Sequence, residues 1–274
     1  MKHITLNNGT KVPMLGLGTY NIGKTENDVY VAIRFALDAG YRHIDTAAMY
    51  GNEVPIGKAI KESGIPREEI FVTTKLWGDD VINNNVQKAF EKSLKKLDTD
   101  YIDLYLVHWP VKGKHVWAWQ EMERIYISGK AKAVGVSNHM IHHLTDLLQI
   151  ANIVPAVNQV ELHPYLVQQD LIDFCKQRNI APEAWSPLGS SKTNLLDEET
   201  LTAIAEKYEK TAAQVILRWN IEKGCLTIPK SSDPERQAAN IDIFDFELSP
   251  EEIQAIDSLD KSSRTGVHPD EIEF

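Results

Sequence analysis

The chain of 274 residues is 43% hydrophobic and 25% charged, a globular composition that excludes disorder as the main state. Its net charge of −10, from 29 basic and 39 acidic residues, argues against a sequence-independent grip on nucleic acid. No apolar run approaches the roughly 18 residues a membrane-spanning helix needs. Cys175 and Cys225 are too few for a disulfide framework, and no signal-peptide core follows Met1, so a reducing cytoplasm is the expected location.

Divided by eight, the length gives roughly 34 residues per unit, enough for a strand, a helix and two short loops. In chain order, residues 4–12 come first and read as a hairpin turning at Asn8-Gly9, expected to plug one barrel end. Eight β-rich runs follow, at 15–17, 43–45, 70–74, 102–107, 131–136, 156–160, 180–185 and 226–228. They are compact and apolar, as in strands buried on both faces of a parallel sheet.

Amphipathic stretches separate these runs, at 26–39, 53–63, 86–97, 116–128, 141–150, 168–177, 198–223 and 233–239. In the third, Val86, Ala89, Phe90, Leu94 and Leu97 form one stripe with lysines outside it. The stretch 198–223 is long enough for two helices broken near Lys210-Thr211. Gly40, Gly64, Gly129 and Gly224 close periodic runs. Ser249-Pro250-Glu251-Glu252 starts an extra helix with a serine cap and first-turn acids. With no linker or repeat, the expectation is one domain over 1–274: an α/β, (β/α)8 TIM barrel with an N-terminal hairpin and an extra C-terminal helix.

The chemistry of such a barrel lies at the C-terminal strand ends. Asp45 ends the second run and Tyr50 follows it; Lys75 ends the third and His108 the fourth. Alone, Asp45 reads equally as a loop cap, Tyr50 as a packing residue and His108 as a hydrogen-bonding residue. Lys75 after Phe71-Val72-Thr73-Thr74 needs a carboxylate partner to be tolerated there, and Asp45 is the obvious one. Together the four suggest proton transfer beside hydride transfer. Lys75 is expected to lower the Tyr50 pKa so that the phenol protonates a carbonyl oxygen, with His108 orienting that oxygen.

Later strand ends carry a second set. Ser137-Asn138 end the fifth run and Gln159 lies near the end of the sixth. Trp185-Ser186-Pro187-Leu188-Gly189 offers a flat ring beside small residues, and a core tryptophan before a turn is its bland alternative. Lys230, Ser231, Arg236 and the backbone N–H groups of the next helix start form an expected phosphate trap after the eighth strand. Gly16-Leu17-Gly18 lacks the third glycine of a Rossmann fingerprint. His139, His142 and His143 cluster without a carboxylate at metalloprotease spacing, so no metal is expected. Trp77 and Trp109 read as pocket walls.

These segments together resemble the aldo-keto reductase superfamily over nearly the whole chain. The resemblance rests on Gly40 through Ala47, Tyr50-Gly51-Asn52-Glu53, Thr74-Lys75-Leu76-Trp77 and Asp100 through Pro110. It continues in Gly135-Val136-Ser137-Asn138, Asn158 through Pro164, Trp185 through Gly189 and Ile228-Pro229-Lys230-Ser231. It implies that Asp45, Tyr50, Lys75 and His108 form a catalytic tetrad. It further implies that Ser137, Asn138 and Gln159 hold a nicotinamide carboxamide, that Trp185 stacks on its ring, and that Lys230, Ser231 and Arg236 bind the 2′-phosphate of NADPH. Gly18, Thr19, Ser186, Leu188 and Asn240 complete the implied cofactor contacts, and Tyr20, Trp77 and Trp109 the substrate pocket.

The branch resembled is that of bacterial glyoxal, methylglyoxal and 2,5-diketo-gluconate reductases. Ala239 departs from the glutamate many members carry before the residue at Asn240. Short loops and a short tail after Asp260 suggest an open mouth for small activated carbonyls. The implied activity is NADPH-dependent reduction of small aldehydes, α-dicarbonyls or keto sugars by a monomer, with no nucleic-acid or membrane partner. Two alternatives stand beside it: a Schiff-base aldolase using Lys75, and a nucleotide-binding interaction protein with little turnover.

Overall fold

The computed structural model describes residues 2–190 and 193–274. It opens on an antiparallel hairpin, β1 (His3–Thr5) with β2 (Lys11–Pro13). Eight parallel strands follow in chain order in one sheet: β3 (Leu17–Gly18), β4 (His43–Asp45), β5 (Phe71–Leu76), β6 (Ile102–Val107), β7 (Ala131–Ser137), β8 (Val157–Glu161), β9 (Ala181–Trp185) and β10 (Leu226–Thr227). The two edges of that sheet meet. Leu15 bridges Thr227, Gly16 N donates to Thr227 O (2.9 Å) and Gly18 N to Pro229 O (3.0 Å). The sheet therefore closes into the expected (β/α)8 barrel, which leaves no strand edge unpaired.

The helices are α1 (Glu26–Asp38), α2 (Glu53–Lys61), α3 (Gly78–Ile82), α4 (Val86–Leu97), α5 (His115–Ile127), α6 (Ile141–Leu148), α7 (Gln169–Lys176), α8 (Glu199–Lys207), α9 (Ala212–Glu222), α10 (Pro234–Ile241) and α11 (Pro250–Asp257). The predicted break near Lys210-Thr211 separates α8 from α9, where Thr211 and Gln214 form a capping box. Ser249 and Glu252 do the same for α11, with Pro250 in its first turn. The predicted stripe of α4 is buried against the barrel. Among the described residues, no helix is long and apolar enough to cross a membrane.

Three features differ from expectation. The hairpin loop has three residues rather than a two-residue Asn-Gly turn. Gly9 N donates to Leu6 O, Leu6 N to Thr10 O, and Gly9 sits at φ +86°, the left-handed position that suits glycine. Helix α3 went unforeseen because its five residues are too short to show a period. Third, the chain after α11 does not stop beside the helices but returns across the C-terminal strand ends. There Glu161, at the end of β8, accepts from Thr265 N (2.6 Å), Thr265 Oγ1 (2.6 Å) and Gly266 N (3.2 Å). The last residue, Phe274, packs on Trp77 with ring centroids 5.3 Å apart.

The hairpin does cover the opposite end. Asn7 Nδ2 donates to Pro155 O (3.0 Å) and Asn8 Nδ2 to Lys132 O (2.8 Å), beside the starts of β8 and β7. Leu6, Val12 and Met14 are buried there.

Candidate active site

Three successive strands, β4, β5 and β6, and the turn after β4 deliver the four expected residues to one mouth. Asp45 ends β4, and a single 3-10 turn (Ala48–Tyr50), closed by left-handed Gly51, brings Tyr50 back over it. Lys75 is the penultimate residue of β5 and His108 follows β6. Asp45, Lys75 and His108 are buried. Lys75 Nζ donates to Asp45 Oδ1 at 2.6 Å and to Thr46 O at 2.9 Å, and lies 5.1 Å from the centre of the Tyr50 ring. Tyr50 and His108 stand edge to face, centroids 5.6 Å apart. The partner expected for Lys75 is therefore the one it has.

The charges settle differently from the simplest expectation. Burial raises the Tyr50 pKa, and the opposing pull of Lys75 does not overcome it, so the phenol is held protonated rather than poised as phenolate. Burial also works against the Lys75 cation, but Asp45 and Tyr50 outweigh it and the lysine pKa rises. Burial, then Lys75, push His108 well below the ordinary histidine range. At neutral pH the group is thus a neutral phenol, an ammonium and a neutral imidazole. His108 Nδ1 is buried without a partner among the described residues.

Beside this group, Ser137, Asn138, Gln159 and Trp185 meet as expected, but their donors are already engaged within the protein. Trp185 Nε1 donates to Asn138 Oδ1 (2.8 Å), and Asn138 Nδ2 donates to His108 O (3.0 Å) and Ser137 Oγ (3.1 Å). Ser137 Oγ donates to Gln159 O (2.9 Å). Asn138 and Ser186 both lie at positive φ, 60° and 52°, a left-handed backbone that turns the chain sharply after β7 and β9. Leu188 is half-buried against the core, and the Trp185 ring keeps part of its surface open.

The phosphate end also needs correction. The α10 start offers fewer N–H groups than expected, because Pro234 has none and Arg236 N donates to the capping Asp233 Oδ1 (2.9 Å). The trap is therefore mainly side chains. Lys230 and Arg236 are exposed and, among the described residues, have no ion-pair partner in this acidic chain. Ser231 lies buried between them. Gly18 passes close enough to Ile228 O that a Cβ would meet it at 2.7 Å. Thr19 Oγ1 is buried without a partner among the described residues, while Thr19 O accepts from Asn52 Nδ2 (2.9 Å). Asn240 is buried on α10 beside half-buried Ala239. Two free cations and a hydroxyl, with a half-open indole face beside them, fit a phosphorylated dinucleotide.

Aromatic rings rim the mouth. Tyr20 is 5.0 Å from Tyr50, Trp77 is 5.3 Å from His108, and Trp109 stacks on His108 at 6.4 Å, all between ring centroids. The mouth is less open than a short tail suggests. Gly266 crosses the edge of Trp185, where a Cβ would meet Cη2 at 2.6 Å, and Phe274 covers Gly78 and Trp77. The tail also brings the carboxylate that the histidine cluster lacked locally. His142 Nε2 and His143 Nε2 lie 3.0 and 3.3 Å from Asp270 Oδ1. His143 Nδ1 accepts from Met140 N, so its Nε2 carries the proton toward Asp270. Among the described residues these three form the one group of metal-ligating side chains within reach of a shared ion.

Two carboxylates escaped the sequence reading. Glu161 holds the tail and is drawn down to about pKa 2: burial opposes this, but His163 and the Thr265 and Gly266 donors prevail. Glu183 lies fully buried in the middle of β9. Its signal was a lone acid inside an apolar strand run, the one position there that burial penalises most.

Comparison with known proteins agrees with this geometry. The aldo/keto reductase family model matches residues 14–261. A glyoxal reductase of Bacillus subtilis is 50% identical over 271 residues, covering 99% of this chain and 97% of that one. A methylglyoxal reductase of Escherichia coli is 43% identical over 270 residues, covering 98% and 97%. The crystal structure of a Bombyx mori aldo-keto reductase in complex with NADP superposes with a TM-score of 0.91 at 39% identity, covering 98% of this chain and 96% of that one. The chain belongs to the aldo/keto reductase family and is an NADP-dependent oxidoreductase.

Proposed function

We propose that the chain reduces small aldehydes and α-dicarbonyls to alcohols, keto sugars being within its range, with Tyr50 as the proton donor. The observation that carries this reading is the buried Lys75–Asp45 pair at 2.6 Å beneath a protonated phenol and beside a neutral imidazole. Such a mouth binds a carbonyl oxygen between two neutral donors, Tyr50 Oη and His108, with a fixed cation behind them. NADPH, when bound, supplies the hydride. Lys230, Ser231 and Arg236 would hold its 2′-phosphate, Gly18, Thr19 and Asn240 would flank it, and Trp185, Ser186 and Leu188 would face its ring. A carboxamide there would meet Gln159 Oε1, with Ser137 and Asn138 re-aiming a donor toward it.

As negative charge grows on the substrate oxygen, Tyr50 passes its proton to that oxygen, and the Lys75 ammonium stabilises the phenolate left behind. Asp45 keeps Lys75 charged and in place. The aromatic rim of Tyr20, Trp77 and Trp109 sheds water and suits compact substrates. The relatives named for glyoxal and methylglyoxal support that size range. The site is complete within one chain, which supports action as a monomer. Free, buried Cys175 and Cys225 support a reducing, cytoplasmic setting.

The aldolase reading requires Lys75 to lose its proton, and Asp45 holds it on. The test is loss of NADPH absorbance with glyoxal and methylglyoxal, run beside borohydride trapping. Reduction without a trapped adduct supports this reading. A trapped Lys75 adduct, or NADPH retention with no turnover across the carbonyl panel, would overturn it.

A further inference from the structure

The barrel interior holds more acid than the tetrad requires. Lys75 Nζ binds Asp45 Oδ1 at 2.6 Å. On the far side, Gln159 Nε2 donates one hydrogen to Asp45 Oδ2 (2.8 Å) and the other to Glu183 Oε2 (2.9 Å). Register aligns Gln159 on β8 with Glu183 on β9, so the bridge is fixed by the sheet itself. All four side chains are buried, and Glu183 is completely so.

The charges that face Glu183 can be named element by element. From β4 come Asp45 and His43, whose Nε2 lies 3.8 Å from Glu183 Oε1; from β5 comes Lys75; from β8 comes the neutral amide of Gln159. His43 is neutral, driven down to about 3 by burial and hydrogen-bonded to Thr73 Oγ1. One ammonium therefore faces two carboxylates in a dry interior. Ionising both would leave a buried, uncompensated negative charge, which is strongly unfavourable. Asp45 has the lysine and keeps the charge. Glu183 has no cation in contact, and its Oε1 has no partner among the described residues. That unpartnered oxygen is where a proton fits.

We propose that Glu183 is a positioning residue that carries a proton and, through Gln159, keeps Asp45 ionised and paired with Lys75. The proposal rests on the reading of Asp45, Lys75 and Tyr50 given above. Loss of that proton places a second negative charge one amide away from Asp45. The added charge binds the Lys75 ammonium more tightly and makes the Tyr50 phenol a weaker acid, so proton donation to the substrate slows. Burial, with Asp45 next, lifts the Glu183 pKa to about 8, which places the switch within the working range of an enzyme.

The experiment has two arms. Infrared difference spectra of the whole chain, titrated from pH 6 to pH 10, should show a protonated-carboxyl C=O band that disappears with rising pH and is missing in Glu183→Gln. In parallel, single-turnover reduction at saturating NADPH should decline on the alkaline side in the wild type. In Glu183→Gln, which cannot ionise, the ratio of the rate at pH 9 to that at pH 6.5 should rise severalfold. A protonated band that survives in Glu183→Gln, or identical pH profiles for the two proteins, would overturn the proposal. The infrared arm needs no turnover, so it decides the placement of the proton even if the proposed reduction fails.

Discussion

The two ends of the barrel solve opposite problems with the same strands. At the N-terminal end the hairpin closes the barrel with neutral amides on backbone carbonyls and with buried Leu6, Val12 and Met14. At the C-terminal end lie a buried ion pair and polar atoms on Thr19 and His108 that have no partner among the described residues. The first end is a lid of amide–carbonyl contacts over apolar side chains. The second retains unsatisfied groups that a fold avoids unless a ligand or a reaction uses them.

Substitutions at the two ends should therefore separate stability from chemistry. The largest effect is expected for Lys75→Met. It leaves Asp45 as an uncompensated buried charge, so stability should fall by about 3–5 kcal/mol, and turnover should vanish; denaturant unfolding and a turnover assay read both. A stable, active Lys75→Met would erase the distinction. Next comes Lys230→Ala, which removes a free cation from the phosphate end. NADPH affinity should drop about 10–100-fold with NADH affinity nearly unchanged, as one charge-assisted hydrogen bond predicts; fluorescence titration with both nucleotides checks it. The smallest belongs to the hairpin end. Asn7→Ala should cost about 1 kcal/mol in unfolding experiments and leave kcat/KM unchanged, whereas a kinetic defect would couple the two ends.

The tail sharpens the contrast by adding a titratable clasp. Burial, then the neighbouring His142, depress the His143 pKa to about 4, against an ordinary 6.5. The unfolded chain therefore takes up this proton before the folded one does. The contribution of the neutral form is fully present above pH 6.5 and is lost as the pH falls toward 4. Melting temperature should decline across that window in the wild type, and the decline should be shallower in His143→Asn.

Asp45, Lys75 and His108 were legible as neighbours because each sits at or just past the end of a short apolar run, where strand geometry fixes its direction; Tyr50, on the turn after β4, was legible only by its closeness to Asp45 in the chain. Asp45 and Lys75, on adjacent strands, could be paired before any coordinates. The proposed phosphate trap was half legible: Lys230 and Arg236 stood out by charge, but the Asp233 cap that occupies the Arg236 amide depends on local backbone shape. Glu183 and the tail were not legible. Glu183 takes its meaning from Gln159 and Asp45, 24 and 138 positions away in the chain. The tail takes its own from contacts with Glu161, the α6 histidines and Trp77, which no periodicity encodes. The direction of the Tyr50 shift failed for a related reason: the lysine was visible in sequence and the burial was not.

The central claim is that the phenol of Tyr50 is the proton source at the charged end of this barrel. Its most direct test is Tyr50→Phe, measured by methylglyoxal-dependent NADPH oxidation alongside NADPH binding. Turnover should fall by about 100-fold or more with nucleotide affinity within about twofold of wild type. Turnover retained near the wild-type rate would contradict it.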